Sequence, residues 1–97
     1  MIIIREVFHA KPGMASKLAK MFKETMPPEA AARFKVMTDL TGPYNTVVME
    51  AEYEDLASFE KEMAEFMKQQ SAQKPDPSKP SHVDMYISGG REIYRLW

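Results

Sequence analysis

The order in which strand-like and helix-like segments follow one another constrains the fold of this chain more than any other feature. Runs rich in β-branched and aromatic residues at 2–10, 33–40 and 44–53 predict three strands. Between the first two, apolar residues recur at helical spacing from Lys11-Pro12-Gly13, where Pro suits the first helical position, to Pro27-Pro28, which ends the helix. A short turn joins the second and third strands, which predicts an antiparallel hairpin.

The second half of the chain repeats this order of strand, helix and strand. Asp55 is a candidate N-cap for a helix with an apolar stripe, made of Leu56, Phe59, Met63, Phe66 and Met67. Residues 69–83 are rich in Gln, Ser, Lys and Pro, and we expect an exposed loop there. A short strand is predicted at 83–88, a break at Gly89-Gly90 and a last strand at 91–97.

The resulting order, β-α-β-β-α-β, predicts an α+β fold of the ferredoxin-like kind. With right-handed crossovers it gives a four-stranded antiparallel sheet with two helices on one face. A chain of 97 residues has room for one hydrophobic core, so we expect a single domain over 1–97.

Apolar residues on both faces of several predicted strands indicate a partner. In the second and third strands one alternating set suits packing against the helices: Phe34, Val36, Thr38, Leu40, Val47, Met49, Ala51 and Tyr53. The other set is mixed, since Met37 and Val48 stand among charged residues. Strands of this kind are usually buried on both faces. One chain cannot cover its second face, so we expect a homodimer with the sheets face to face.

Three segments resemble the dimeric α+β-barrel superfamily. The segment 8–14 (FHAKPGM) is similar to the end of its first strand, and 44–56 (YNTVVMEAEYEDL) to its third strand and the start of the following helix. The segment 90–94 (GREIY) is similar to the ending of NIPSNAP-like members. The likeness covers most of the chain apart from residues 69–83, and it implies a dimeric barrel.

The resemblance implies several functions, because the superfamily includes cofactor-independent monooxygenases, haem-degrading enzymes and stress-induced proteins. Haem-degrading members carry an Asn on the first strand, a haem-ligating His and a Trp in the lumen. This chain has no Asn on its first predicted strand, Trp97 is its last residue, and neither His9 nor His82 matches the ligand position. We predict no cofactor, and the sequence leaves open whether the protein is an enzyme.

Composition and motifs exclude several other classes. The formal net charge of -1 lacks the basic excess of nucleic-acid-binding proteins, and the absence of cysteine excludes disulfides and thiolate metal sites. Neither a His-x-x-x-His spacing nor a Gly-rich phosphate loop is present, so we predict no metal site. The apolar start at 1–4 is too short for a signal or membrane segment, and we therefore expect no membrane association and a cytoplasmic location.

Two sets of side chains are candidates for a site. His9 and Tyr44 could act as the base or anion-stabilising group of a monooxygenase, although a strand histidine is more often structural. Eight charged residues could occupy the sheet face away from the helices: Arg5, Arg33, Lys35, Asp39, Glu50, Glu52, Arg91 and Arg95. Arg5, Glu50, Arg91 and Arg95 could bind an anionic or phenolic ligand, or form the ion pairs that fix a dimer.

Three functional hypotheses remain. The first is a NIPSNAP-like homodimer that binds a small organic ligand between sheet and helices. The second is a cofactor-independent monooxygenase of the antibiotic-biosynthesis type. The third is a structural or stress-related dimer whose interior is filled by side chains. The first two require a cavity, and only the enzyme requires a base directed into it.

Overall fold

The fold is a four-stranded antiparallel sheet with helices on one face, as the order of segments predicts, but the described residues form three α-helices and not the predicted two. The computed structural model describes residues 1–72 and 82–97. Its elements are β1 (Ile2–Ala10), α1 (Ala15–Thr25), α2 (Pro28–Arg33), β2 (Lys35–Thr38), β3 (Thr46–Tyr53), α3 (Leu56–Ala72), a single 3-10 turn (His82–Asp84) and β4 (Tyr86–Arg95). The strand order β2-β3-β1-β4 places the first and third strands at the centre, which is the ferredoxin-like topology.

The prolines act at different positions from those predicted around α1. Gly13, at φ 78°, turns the chain after Pro12, and α1 begins only at Ala15 with Met14 as its N-cap. Pro12 is therefore in a turn and not at the first helical position. Pro27-Pro28 ends α1 as expected, but Pro28 is also the first residue of the short helix α2, where a missing N–H carries no cost.

The loop between β2 and β3 is longer than the sequence indicates, and both strands are correspondingly shorter. The Asp39 carboxylate accepts a hydrogen bond from the Thr46 backbone N–H at 2.9 Å, and Asn45 adopts a positive φ of 60°. Asp39 therefore anchors a loop and lies outside the strand. Leu40, predicted to pack against the helices, is fully exposed in this loop.

The α3 helix begins as predicted and continues further. The Asp55 carboxylate accepts a hydrogen bond from the Ser58 backbone N–H at 2.8 Å, which confirms Asp55 as the N-cap and lowers the pKa of its carboxyl. The helix extends to Ala72, so the first residues of the predicted 69–83 loop are helical. Most of the remaining loop prediction lies outside the described residues. Among the helices that the structure describes, none is both long and apolar enough to cross a membrane.

The last strand is continuous and does not break at its two glycines. β4 pairs with β1 from Tyr86 to Arg95, and Gly89 lies opposite Phe8 in the register. A Cβ atom on Gly89 would stand 2.8 Å from Cδ1 of Phe8, whose ring packs between Phe22 and Tyr86. Gly89 therefore leaves space for an aromatic ring on the neighbouring strand. In the sequence, the Gly-Gly pair indicated a turn because this packing role is not visible there.

The register assigns the side chains of the sheet to two faces. Even-numbered residues of β1, from Ile2 to Phe8, lie on the helix-covered face, because Ile4 is fully buried in the core. Odd-numbered residues, from Ile3 to His9, lie on the opposite, open face. Directly paired residues share a face. This confirms the predicted helix-packing set of β3, which lies opposite the even-numbered residues.

The core is divided into two separate clusters on the helix-covered face. The first lies beneath α1 and contains Leu18, Phe22 and Val47. The second lies towards α3 and is made of Ile4, Ala51, Tyr53 and Phe59. The division follows the register of the sheet, since the two clusters occupy opposite ends of β1 and β3.

We expect the substitution Gly89→Ala to lower the free energy of unfolding by about 1–3 kcal/mol, because the added methyl group collides with the packed ring of Phe8. Gly90→Ala is the matched control, since nothing lies within 4 Å of its Cβ position. Urea denaturation of both variants measures the difference. Equal stability of the two variants would contradict the packing role of Gly89.

Candidate ligand-binding site

A cleft of about 840 Å³ opens between the helix-covered face of the sheet and the helices. Its volume lies in the range of small-molecule sites. Aromatic and methionine side chains form most of its apolar wall: Phe8, Phe22, Met26, Phe34, Met49, Met63 and Phe66. These residues lie on β1, α1, β3 and α3, apart from Met26 and Phe34, which directly follow α1 and α2. The cleft therefore lies where the two core clusters separate.

A charged pair crosses the floor of the cleft. Glu6 of β1 and Arg91 of β4 are directly paired in the sheet, and the Arg91 guanidinium donates a hydrogen bond from Nε to the Glu6 carboxylate. The Glu6 side chain is only 15 % exposed. The guanidinium carbon of Arg91 also lies 5.1 Å from the ring centre of Phe59, within cation–π range. Both contacts hold Arg91 over the sheet.

A second charged pair closes the other end of the cleft. Arg33, the last residue of α2, lies with Nη1 3.4 Å from the Glu62 carboxylate of α3. Its guanidinium carbon is 4.6 Å from the ring centre of Tyr53. The cation therefore connects α2 with α3 and covers the aromatic ring at the end of β3.

The Tyr53 hydroxyl is a buried polar group at the cleft. Tyr53 is 2 % exposed, and its hydroxyl has no hydrogen-bond partner in the part of the chain that the structure describes. Burial raises the pKa of Tyr53, and the Glu62 carboxylate, which lies near the hydroxyl but outside hydrogen-bond geometry, raises it further, while Arg33 lowers it. The hydroxyl therefore keeps its proton at neutral pH and can donate a hydrogen bond to a ligand.

The four predicted ligand-binding residues lie on different faces of the sheet. Arg5 and Glu50 lie on the open face, as predicted, with Arg5 Nε 3.5 Å from the Glu50 carboxylate. Arg91 and Arg95 lie opposite Glu6 and Ile2 on the helix-covered face, so their predicted position on the far side of the sheet is wrong. Alternation along a strand groups residues into two sets, but it does not say which set faces the helices.

Several other charged residues also have definite positions. Arg33 belongs to α2 and lines the cleft, whereas Lys35 and Glu52 are on the open face as expected. Arg95 is exposed at the end of β4, with its guanidinium carbon 6.0 Å from the ring centre of Trp97. Of the two paired arginines in the cleft, only Arg91 belonged to the predicted ligand-binding set.

Neither predicted catalytic residue lines the cleft. His9 is exposed on the open face, opposite Thr46 and Ser88. Tyr44 is 90 % exposed in the loop between β2 and β3. Within residues 1–72 and 82–97, no group of three His, Asp or Glu side chains is arranged as metal ligands. A catalytic role for His9 or Tyr44 stays a prediction. Tyr44 lines a separate pocket of about 390 Å³ in the loop between β2 and β3.

Sequence reasoning overlooked Glu6, Tyr53 and Glu62 as site residues. One signal was present, because Glu6 alternates with Ile2, Ile4 and Phe8, and a charge within an apolar set indicates a buried ion pair or a site. Tyr53 carried no signal, since a terminal strand tyrosine is usually a packing residue. Glu62 lies among several charged residues of the predicted helix, and the sequence does not distinguish the carboxylate at the cleft from its neighbours.

Comparison with solved structures establishes the fold. A NIPSNAP family protein from Agrobacterium tumefaciens superimposes with a TM-score of 0.76 at 15 % identity, over 97 % of this chain and 90 % of that one. An uncharacterised NIPSNAP domain protein from Burkholderia xenovorans gives a TM-score of 0.70 at 14 % identity, over 100 % and 95 %. A proposed antibiotic biosynthesis monooxygenase from Deinococcus radiodurans gives 0.60 at 16 % identity, over 100 % and 93 %.

These similarities confirm the predicted NIPSNAP-like, ferredoxin-like α+β fold. No protein-family model matches the sequence, and no curated protein matches it significantly. At identities of 14–17 % the solved structures establish the fold alone. Function has to be inferred from the residues of the cleft and of the open face.

We expect the substitution Tyr53→Phe to raise the free energy of unfolding of the ligand-free protein by about 1 kcal/mol, because it removes a buried hydroxyl without a partner. Tyr94→Phe provides the contrast, since its exposed hydroxyl donates to Glu92 at 2.7 Å and its loss should not raise stability. Chemical denaturation measures both values. A loss above about 1 kcal/mol for Tyr53→Phe would contradict the unpartnered hydroxyl.

Proposed function

We propose that this protein binds a small, mainly apolar organic ligand in the cleft between the sheet and the helices. The observation that supports this most strongly is a cleft of about 840 Å³ with aromatic walls beside the buried, unpartnered hydroxyl of Tyr53. Such a hydroxyl is costly to bury unless something accepts its hydrogen bond. A ligand with an acceptor atom would remove that cost, and a structural dimer without a ligand would leave it in place.

Binding is better supported than catalysis. A cofactor-independent monooxygenase requires a base within hydrogen-bond reach of its substrate. His9 and Tyr44 are not at the cleft, and the two most buried carboxylates there, Glu6 and Glu62, are each paired with an arginine. The proposed function is therefore ligand binding.

We expect the substitution Ala30→Trp to abolish binding of an apolar probe, because Ala30 lines the cleft and an indole ring there fills the ligand space. Ala31→Trp is the matched control, since Ala31 is the next residue of α2, is exposed and does not line the cleft. Fluorescence titration with N-phenyl-1-naphthylamine measures binding in both variants. Retained binding by Ala30→Trp would place the probe outside the cleft and oppose the proposal.

We also propose that the chain forms a homodimer through the open face of the sheet. No described helix covers this face, and half-buried apolar residues lie on it: Ile3, Val7 and Val48. Sheets with such a face normally pack against another layer. A second copy supplies that layer without requiring a different partner.

A row of alternating charges across the open face supports a two-fold dimer. Lys35, Glu50, Arg5 and Glu92 are successive cross-strand neighbours on β2, β3, β1 and β4. A two-fold axis parallel to the strands reverses the row in the second copy. Lys35 of one copy then faces Glu92 of the other, and Glu50 faces Arg5. Every positive charge therefore meets a negative one across the interface. Buried charges at such an interface require this pairing.

We expect Arg5→Glu to weaken the dimer by about 1–3 kcal/mol, since residue 5 then faces the like charge of Glu50 in the second copy. The exchanged double variant Arg5→Glu with Glu50→Arg should restore association, because its row is again complementary to its reverse. Lys17→Glu on the exposed side of α1 carries the same change of charge away from the interface. Sedimentation velocity measures the dissociation constants. A wild-type monomer at all concentrations, or a double variant as weak as Arg5→Glu alone, would contradict this arrangement.

A further inference from the structure

Both arginines that line the cleft are neutralised by carboxylates of the same chain. Arg91 is hydrogen-bonded to Glu6, and Arg33 lies 3.4 Å from Glu62. An arginine that anchors an anionic ligand has to offer its N–H groups and its charge to that ligand. Here a carboxylate of the same chain already balances the charge of each arginine, which weakens the attraction of both for an anionic ligand.

The other charged residues at the rim of the cleft make its potential negative. Glu29, Glu54 and Glu65 line the rim, and Lys61 is the cation there in addition to the two arginines. No ion pair joins these four rim residues to any described residue. With Glu6 and Glu62 included, five carboxylates oppose three cations around the cavity.

We propose, on the basis of the ligand-binding function above, that this cleft selects uncharged or cationic organic molecules and excludes those that carry a carboxylate, sulfonate or phosphate. An anion entering the cleft would lose hydration and meet the excess of carboxylates. At Arg91 it would compete with Glu6, whose carboxylate already balances the charge of the guanidinium and accepts its Nε–H. An uncharged aromatic molecule meets none of these obstacles and packs against the phenylalanine and methionine walls.

A matched pair of fluorescent probes tests the proposal. N-phenyl-1-naphthylamine and 8-anilinonaphthalene-1-sulfonate share one aromatic scaffold, and only the second carries a sulfonate. We expect the uncharged probe to bind at least about 10-fold more tightly at low ionic strength. The difference should decrease as salt is added, because screening weakens the repulsion at the exposed rim.

The variant Glu6→Gln gives the sharpest test, because it leaves Arg91 in place without its anionic partner. We expect this substitution to increase the affinity for the sulfonate probe about 5- to 10-fold relative to the affinity for the uncharged probe. Glu60→Gln removes the same charge from an exposed position of α3 that does not line the cleft, and it should change neither affinity. Glu62→Gln, which releases Arg33, provides an independent second variant if Glu6→Gln does not fold.

The outcomes separate this inference from the function on which it rests. If neither probe binds the wild-type protein, the ligand-binding function itself is contradicted. If the uncharged probe binds but the sulfonate probe binds equally well or better, ligand binding stands and the exclusion of anions is overturned. An unchanged affinity for the sulfonate probe in the folded variants Glu6→Gln and Glu62→Gln would likewise overturn it.

Discussion

The ion pair between Glu6 and Arg91 is the feature on which the organisation of the helix-covered face depends. It lies in the middle of β1 and β4. The helix-facing residues of β1 on either side of Glu6 are Ile4 and Phe8. Burying Glu6 and Arg91 fully beneath apolar helix surface would carry a large desolvation cost, and Arg91 stays half-exposed although Phe59 of α3 lies against it. The helices therefore pack on the apolar residues to either side of the ion pair, and two core clusters form in place of one.

The cleft follows directly from this division. An ion pair with one buried and one half-exposed partner contributes little net stability, and an apolar pair of similar volume would often serve the fold equally well. A closed core would be the simpler way to stabilise a domain of this size. The retained charges, the cavity above them and the unpartnered Tyr53 hydroxyl are consistent with a surface shaped for something that the chain does not itself supply.

Much of the fold followed from the sequence, because alternation, helical spacing and the Asp55 cap are local signals. The failures have identifiable causes. Gly89-Gly90 resembled a break because the nearby ring of Phe8 is not visible in the sequence. Arg91 was assigned to the wrong face because a strand with mixed residues in both alternating sets does not define its inner side. The ion pairs of the cleft could not be predicted, since they join residues distant in sequence, as in Arg91 and Glu6.

The most direct test of a ligand site in the cleft is an NMR titration of ¹³C-methyl-methionine protein with N-phenyl-1-naphthylamine. The nine methionines include Met26, Met49 and Met63 at the cleft and Met37 on the open face. The account predicts that the three cleft signals shift together and saturate, while the Met37 signal stays in place. Saturable shifts at Met37 without shifts at the cleft methionines would show that the sheet binds apolar molecules on its open face, and would contradict the account.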